Sequence, residues 1–298
     1  MVKYRLLKDK IARHYMLGIT VLSILFLFII GIGLFMKSLP IIQEKNLWTL
    51  LTTSNWRPSK GEFGFASYIL STIYVTLIAI IIALPLSLLT GIYVTEYASP
   101  KVRRLFNPVI DLLSGIPPVI YGVWGTLTVV PFISEKLAPH FVEFSTGYSV
   151  LAGGIVLAIM IIPLIISILM EVFSSIPKEM REASLSLGAT KWQTVKKVII
   201  RKSLPGILAA TVLAISRAFG ETIAVMMVCG NFTHIPKSIF DACYPLPALI
   251  ANNYGEMMSI PQYESALMLA AFLLFIIIVF FNAISRLILI QIDKRYHL

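Results

Sequence analysis

Six apolar runs divide the chain, at residues 16–36, 65–94, 108–133, 149–170, 205–230 and 264–290. An apolar helix needs ~20 residues to cross the hydrocarbon core of a bilayer, and each run meets that length. Two runs carry internal breakers. Pro85 lies inside the second and is expected to kink it. The third contains "SGIPPVIYGVWG" at 114–125, where Pro117 and Pro118 prevent regular helical hydrogen bonding.

Basic residues sort the connections into two sides. Lys3, Arg5, Lys8, Lys10 and Arg13 precede the first run, and Lys101, Arg103 and Arg104 follow the second. Lys178, Arg181, Lys191, Lys196, Lys197, Arg201 and Lys202 follow the fourth, and Arg286, Lys294 and Arg295 sit near the end. The other side holds the sparser Lys37, Lys45, Arg57, Lys60, Lys136 and Lys237. By the positive-inside rule both termini are cytoplasmic. The first run is longer than a signal-peptide core and no small-x-small cleavage site follows it, so it reads as a retained anchor. The segment 37–64, with Trp48 and Trp56, reads as an extracytoplasmic loop with an interfacial helix.

Composition agrees with this pattern. Hydrophobic residues make up 57% and charged residues 13% of 298, and the mean hydropathy is +0.85. A soluble core cannot hide that much apolar surface, so an all-α, polytopic integral membrane protein is expected. The expected organisation is a cytoplasmic N-terminus at 1–15, a first span and outer loop at 16–64, a five-span core at 65–290 and a cytoplasmic tail at 291–298. The net charge of +10 suggests nucleic acid only until its placement is considered. It is mostly a topology signal, and no nucleic acid is expected as a partner.

Candidate chemistry is sparse. His14, His140, His234 and His297 are isolated, Cys229 and Cys243 have no ligand spacing, and no metal site is expected. The cysteines read as free buried thiols, with a disulfide as the alternative if both face an oxidising compartment. GxxxxGK[ST], HExxH and GxSxG are absent from the sequence, so the chain itself should catalyse nothing.

The loop between the fourth and fifth runs has structure of its own. Ser174 or Ser175 is placed to cap a short helix, Gly188 suits a left-handed helix end, and Thr190 is placed to cap a second helix. A solvated basic loop, a DNA-reading helix-turn-helix and a docking helix for a cytoplasmic partner all fit that outline. Direct fusion to the fifth run leaves the second little freedom to enter a groove.

Within this loop "REASLSLGATKWQTVKKV" resembles the EAA loop of ABC importer permeases. That pattern is Glu-Ala-Ala, three residues, Gly, then nine residues to an aliphatic position. Glu182, Ala183, Gly188 and Val198 match, and Ser184 stands where the third motif residue is usually Ala. Arg201 stands where Pro often follows, with Leu204-Pro205 close behind. The segment 114–125, "SRAFGETIAVMMVCGN" at 216–231 and "PLPALIANNYGE" at 245–256 together resemble the PstC-type permease subunits of phosphate ABC importers. Sister subunits of the PstA type typically follow Gly-Glu-Thr with Ala-Pro-Leu. Pro118 replaces a residue that is usually small and polar.

The resemblance implies a type I ABC importer permease fold with six transmembrane helices, in a bacterial or archaeal cell membrane. The implied function is to form half of a pathway for inorganic phosphate, worked by alternating access. The implied partners are a PstA-type permease, a PstB-type ATPase dimer, a PstS-type extracytoplasmic phosphate-binding protein and the lipid bilayer. ATP and Mg would be used by the ATPase, with no cofactor on this chain. The loop at 172–203 would couple to that ATPase through Glu182, Ala183, Ser184 and Gly188. The apolar, aromatic-flanked stretch at 248–258 reads as an outer-surface helix that meets the binding protein. A permease for molybdate or sulfate, and a non-transporting membrane sensor or scaffold, are the alternatives.

Arg217 and Glu221 lie inside the fifth run. Four residues apart on one helix, they would face the same way. A charge at the bilayer centre costs about 2.5–3.5 kcal/mol on insertion scales. Two readings follow. In one, Arg217 is a waypoint for the anion and Glu221 a competing partner that lets it leave. In the other, the two form a buried ion pair that fixes helix packing. Gly220 would admit a neighbouring helix or the anion. Thr222 and Asn231 would line the passage, and Asn231 equally suits a helix cap. Asp111, at the start of the third run, reads as interfacial.

Overall fold

The computed structural model describes residues 2–256 and 261–296. The side chains of residues 1–7 and 291–298, including Lys3, Arg5, Lys294, Arg295 and His297, lie outside the described ones. Helix α1 (Val2–Glu44) leads to a short α2 (Leu47–Thr52) and a two-stranded hairpin, β1 (Trp56–Arg57) and β2 (Glu62–Phe63). Helix α3 (Ala66–Ile92) closes in a π turn, Tyr93–Tyr97. Helices α4 (Pro100–Ser114), α5 (Pro118–Trp124) and α6 (Val130–Phe132) follow, and α7 spans Val150–Ser174. Then come α8 (Lys178–Ser186), α9 (Lys191–Thr194), a π turn at Val195–Ile199, α10 (Ile200–Gly220), α11 (Ile223–Val228), α12 (Leu246–Asn253) and α13 (Pro261–Tyr296).

Among the described residues, five helical stretches are long and apolar enough to cross a membrane: Lys8–Glu44, Ala66–Tyr97, Val150–Ser174, Lys191–Gly220 and Gln262–Ile284. The sixth is a bent pair, Pro100–Ser114 and Pro118–His140, at 88° to each other. The expected third span at 108–133 therefore straddles a corner. Pro117 is extended, at φ −60° and ψ 139°, so the chain turns before α5 begins with Pro118 at its first position. Helix α4 is amphipathic: Leu105, Val109 and Leu112 are exposed at a spacing of four and three, while Ile110 packs on Ile166 and Met170 of α7. Helix α3 runs unbroken through Pro85.

Helix α7 is the axis. It is the most deeply buried of the long helices, whereas α1 is largely exposed. Ser149 caps it by accepting a hydrogen bond from the Ala152 amide at 3.1 Å. Its partner α3 comes so close that a Cβ on Gly153 would stand 3.2 Å from the Val75 side chain, and one on Gly154 would strike Ile78. Small residues allow this approach, which is how helices pack where lipid offers no hydrophobic drive.

Away from that core, α1 leans on α13 through a Lys37–Glu264 ion pair at 3.0 Å. Helix α1 continues to Glu44, so part of the expected outer loop is helical. The remainder folds around Trp56, whose ring meets Phe63, Phe65 and Tyr68 edge-on at 5.3–5.6 Å. These contacts give Trp56 a packing role, while Trp48 is exposed.

Candidate functional site

Arg217 and Glu221 do not share a helix face. Helix α10 ends at Gly220, and Glu221 is extended at φ −71°, ψ 126°. Its carboxylate turns to the next helix, where Oε1 accepts the Ala224 amide at 3.2 Å. Thr222 turns its hydroxyl back to the Gly220 carbonyl at 3.2 Å. The ion pairs among the described residues include Lys37–Glu264 and Arg181–Glu96 but not Arg217–Glu221. The packing pair expected within the fifth span is therefore not formed. A carboxylate capping the start of a new helix satisfies its amides more readily than a strained return to Arg217 would.

The break leaves Arg217 on an open face. Arg217 and Gly220 are exposed beside Leu213, whereas Ala210, Ala214 and Ala218 turn inward. A Cβ on Gly220 would meet nothing within 4 Å. The Tyr121 phenol of α5 donates to the Leu113 carbonyl at 2.9 Å across the α4–α5 corner.

The two interruptions are neighbours. Helix α11 packs on α5, where a Cβ on Gly122 would lie 2.7 Å from the Met227 sulfur and 3.1 Å from the Ala224 Cα. The Thr126 hydroxyl ties the same pair through the Gly122 and Met227 carbonyls at 3.0 and 3.2 Å. Irregular backbone at membrane depth is tolerated only against protein or a watery cavity. An exposed guanidinium there needs the same cover.

Asn231 takes the capping role. It is left-handed at φ 53°, and its side-chain amide donates to the Met226 carbonyl at 3.0 Å, closing the end of α11. Cys229 and Cys243 are buried free thiols on adjacent strands of chain, where the Cys243 amide donates to the Cys229 carbonyl at 2.8 Å. Asp111 lies in a cavity of about 250 Å³ with Arg103, Asn107, Glu171 and Ser174.

The loop at 172–203 forms α8 and α9, as its spacing suggests. Helix α8 starts after Pro177 with no side-chain cap, so neither serine has the expected capping role. Ser175 donates to the Val172 carbonyl, and Ser174 accepts from Arg103. Gly188 sits at φ 82°, with its own amide bonded to the Leu185 carbonyl and that of Ala189 to Ser184. These are the two bonds of a Schellman end. Thr190 and Gln193 form a capping box on α9.

Glu182 and Ala183 are exposed on α8. Ser184 meets Thr194 hydroxyl to hydroxyl at 2.9 Å and so joins α8 to α9. At the tip Leu187 is 88% exposed, flanked by exposed Leu185 and Trp192.

Sequence reasoning treated Arg181 as a topology charge only. Its Nη2 and Nε lie 2.9–3.3 Å from the Glu96 carboxylate, and it donates to the carbonyls of Phe173 and Ile176 at 2.6 and 2.5 Å. Both side chains are largely buried, at 20% and 9% exposure. Removing one partner of such a pair costs about 3–5 kcal/mol. The 85-residue separation hides it from any local pattern.

Long spans around a central helix, two broken spans side by side and a structured loop define an ABC importer permease of the type I fold. Two solved structures share it. A subunit of a bacterial alginate ABC transporter, crystallised with an alginate-bound periplasmic protein, matches at TM-score 0.66 and 15% identity, over 95% of this chain and 96% of that one. A subunit of the inward-facing MetNI methionine ABC transporter matches at TM-score 0.59 and 19% identity, over 76% and 95%.

The chain belongs to the family described as binding-protein-dependent transport system inner membrane component, matched over residues 83–297. Among curated relatives, the probable phosphate transport system permease protein PstC of Methanocaldococcus jannaschii is 34% identical, over 90% of this chain and 89% of that protein. PstC of Pasteurella multocida is 33% identical over 83% and 81%. The probable ABC transporter permease YqgH of Bacillus subtilis is 42% identical over 69% and 66%.

Proposed function

We propose that this chain is a PstC-type permease subunit that forms half of a pathway for inorganic phosphate. The observation that carries the reading is Arg217, a guanidinium on the open face of a broken span, in a chain whose relatives include named phosphate permeases. A planar, always-charged donor matches an oxyanion better than an ammonium does. A PstA-type permease brings the facing half and covers Arg217 and Gly220. Glu221, capping α11 in this conformation, is the carboxylate that competes for Arg217 when the two permeases rock. Thr222 offers a hydroxyl at the break, and Asn231 shapes the far end of α11.

Both termini and the α8–α9 end are cytoplasmic, in keeping with the basic residues there. The exposed Leu185, Leu187 and Trp192 give a PstB-type ATPase dimer an apolar hold, with Glu182, Ala183 and Gly188 shaping the contact. ATP and Mg act on that partner. At the opposite end Phe144 and Phe232 line a cavity of about 590 Å³. It offers a surface for a PstS-type binding protein in place of the helix expected after Cys243, whose Ala248 and Leu249 are buried.

The test is labelled phosphate uptake by the reconstituted complex, with Arg217→Ala beside the wild type. The expected result is a fall of about tenfold or more, the scale of one lost charge-assisted bond, with assembly unchanged. Unchanged uptake in an assembled complex overturns the waypoint. Competition by molybdate or sulfate stronger than that by unlabelled phosphate overturns the substrate.

A further inference from the structure

The last turn of the second span is a meeting point for both helices of the loop. Glu96, in the π turn Tyr93–Tyr97, binds Arg181 of α8. One residue on, the ring of Tyr97 lies 4.9 Å beneath the Lys191 ammonium of α9. We propose that this π turn is the node through which the loop moves the membrane helices, with Arg181 and Lys191 as its positioning residues. The inference rests on the reading of α8–α9 as the ATPase-docking loop.

Residues 175–177 alone join α7 to α8. A three-residue joint lets a pushed helix swivel and absorb the motion. Arg181 removes that freedom, because its fork spans three elements at once. It grips Glu96 at the end of α3 and the Phe173 carbonyl at the end of α7. It also bonds the Ile176 carbonyl inside the joint. The carbonyl-rich end of α7 and the Glu96 carboxylate are both negative, so a guanidinium suits the junction twice over.

Arg103 of α4 donates to the Ser174 hydroxyl at 2.7 Å and ties a third element to the same corner. A cavity of about 430 Å³ beside it, lined by Glu96, Arg103, Lys178, Arg181 and Glu182 among others, leaves these side chains room to change partners.

The route onward is rigid. Helices α3 and α7 pack along their length, and α10 is fitted to α7 where Gly206 lies against Val172. A displacement of α8 and α9 thus reaches α10, whose far end carries Arg217 and the break. The Ser184–Thr194 contact keeps α8 and α9 moving as one piece.

The test uses the full complex in proteoliposomes and reads phosphate imported per ATP hydrolysed. Glu96→Gln keeps the shape of the side chain and removes its charge, and Lys191→Ala removes the ring contact. Each is expected to lower the ratio, and the double variant to lower it about tenfold, with the ATPase still bound and hydrolysing ATP. Arg181→Lys keeps the charge and loses the fork, so it should lie between Glu96→Gln and the wild type. A merely structural junction would lower yield and leave the ratio unchanged. An unchanged ratio in the assembled double variant overturns the proposal, as does loss of the ATPase from it. Leu187→Asp separates the underlying reading: if the ATPase stays bound to that variant, the docking assignment is what fails.

Discussion

The Ser184 hydroxyl lies 2.9 Å from the hydroxyl of Thr194, which is buried. Ser184 occupies the motif position where Ala is usual, and here its oxygen fastens one helix of the loop to the other. Ser184→Ala leaves Thr194 without that partner and should cost roughly 1 kcal/mol. Thermal unfolding of the purified complex should show a small drop, with the ATPase still bound. No drop would mean that the contact contributes nothing net.

Gly188 carries a stricter demand. Its φ of 82° ends α8, and a Cβ there would strain the backbone by about 1–2 kcal/mol. The space around it is open, so conformation alone sets the cost. Gly188→Ala should weaken capture of the ATPase in pull-down, and Gly188→Asn, which tolerates the left-handed region, should restore most of it.

Glu221→Gln separates the cap from the charge. Glutamine keeps an oxygen for the Ala224 amide, so stability should hold. If the carboxylate competes for Arg217, its loss leaves phosphate bound longer. Maximal uptake should then fall about tenfold with no loss of apparent affinity, as expected when release slows. Equal uptake by the variant and the wild type would remove Glu221 from the cycle.

Gly154 tests the α3–α7 contact. A side chain there collides with Ile78. Gly154→Val should destabilise by about 1–3 kcal/mol, the usual cost of overpacking. Differential scanning of the detergent-solubilised protein should show it as a lowered Tm. Gly18→Val, on the exposed first helix with nothing within 4 Å, is the matched control.

Much of the architecture was legible because it is local. Span lengths follow from apolar runs, since a buried backbone in lipid must close its own hydrogen bonds. Gly188 and Thr190 announced a helix end and a helix start through their own chemistry. The serines near 174 misled because capping depends on where the chain turns, and Pro177 moved that point. The pair in span five misled for a related reason. The spacing of Arg217 and Glu221 has meaning only on an unbroken helix, and Gly220 ends it.

By itself the sequence determined five of the six apolar crossings, the sorting of basic residues and the two short helices of the loop. Each depends on residues close together along the chain. The tertiary structure alone decided the 88° corner before Pro118, the pairing of the two broken spans and the grip of Arg181 on Glu96. These depend on which distant surfaces meet. A buried charge is satisfied by whatever partner packing brings within reach, and no local pattern encodes that partner.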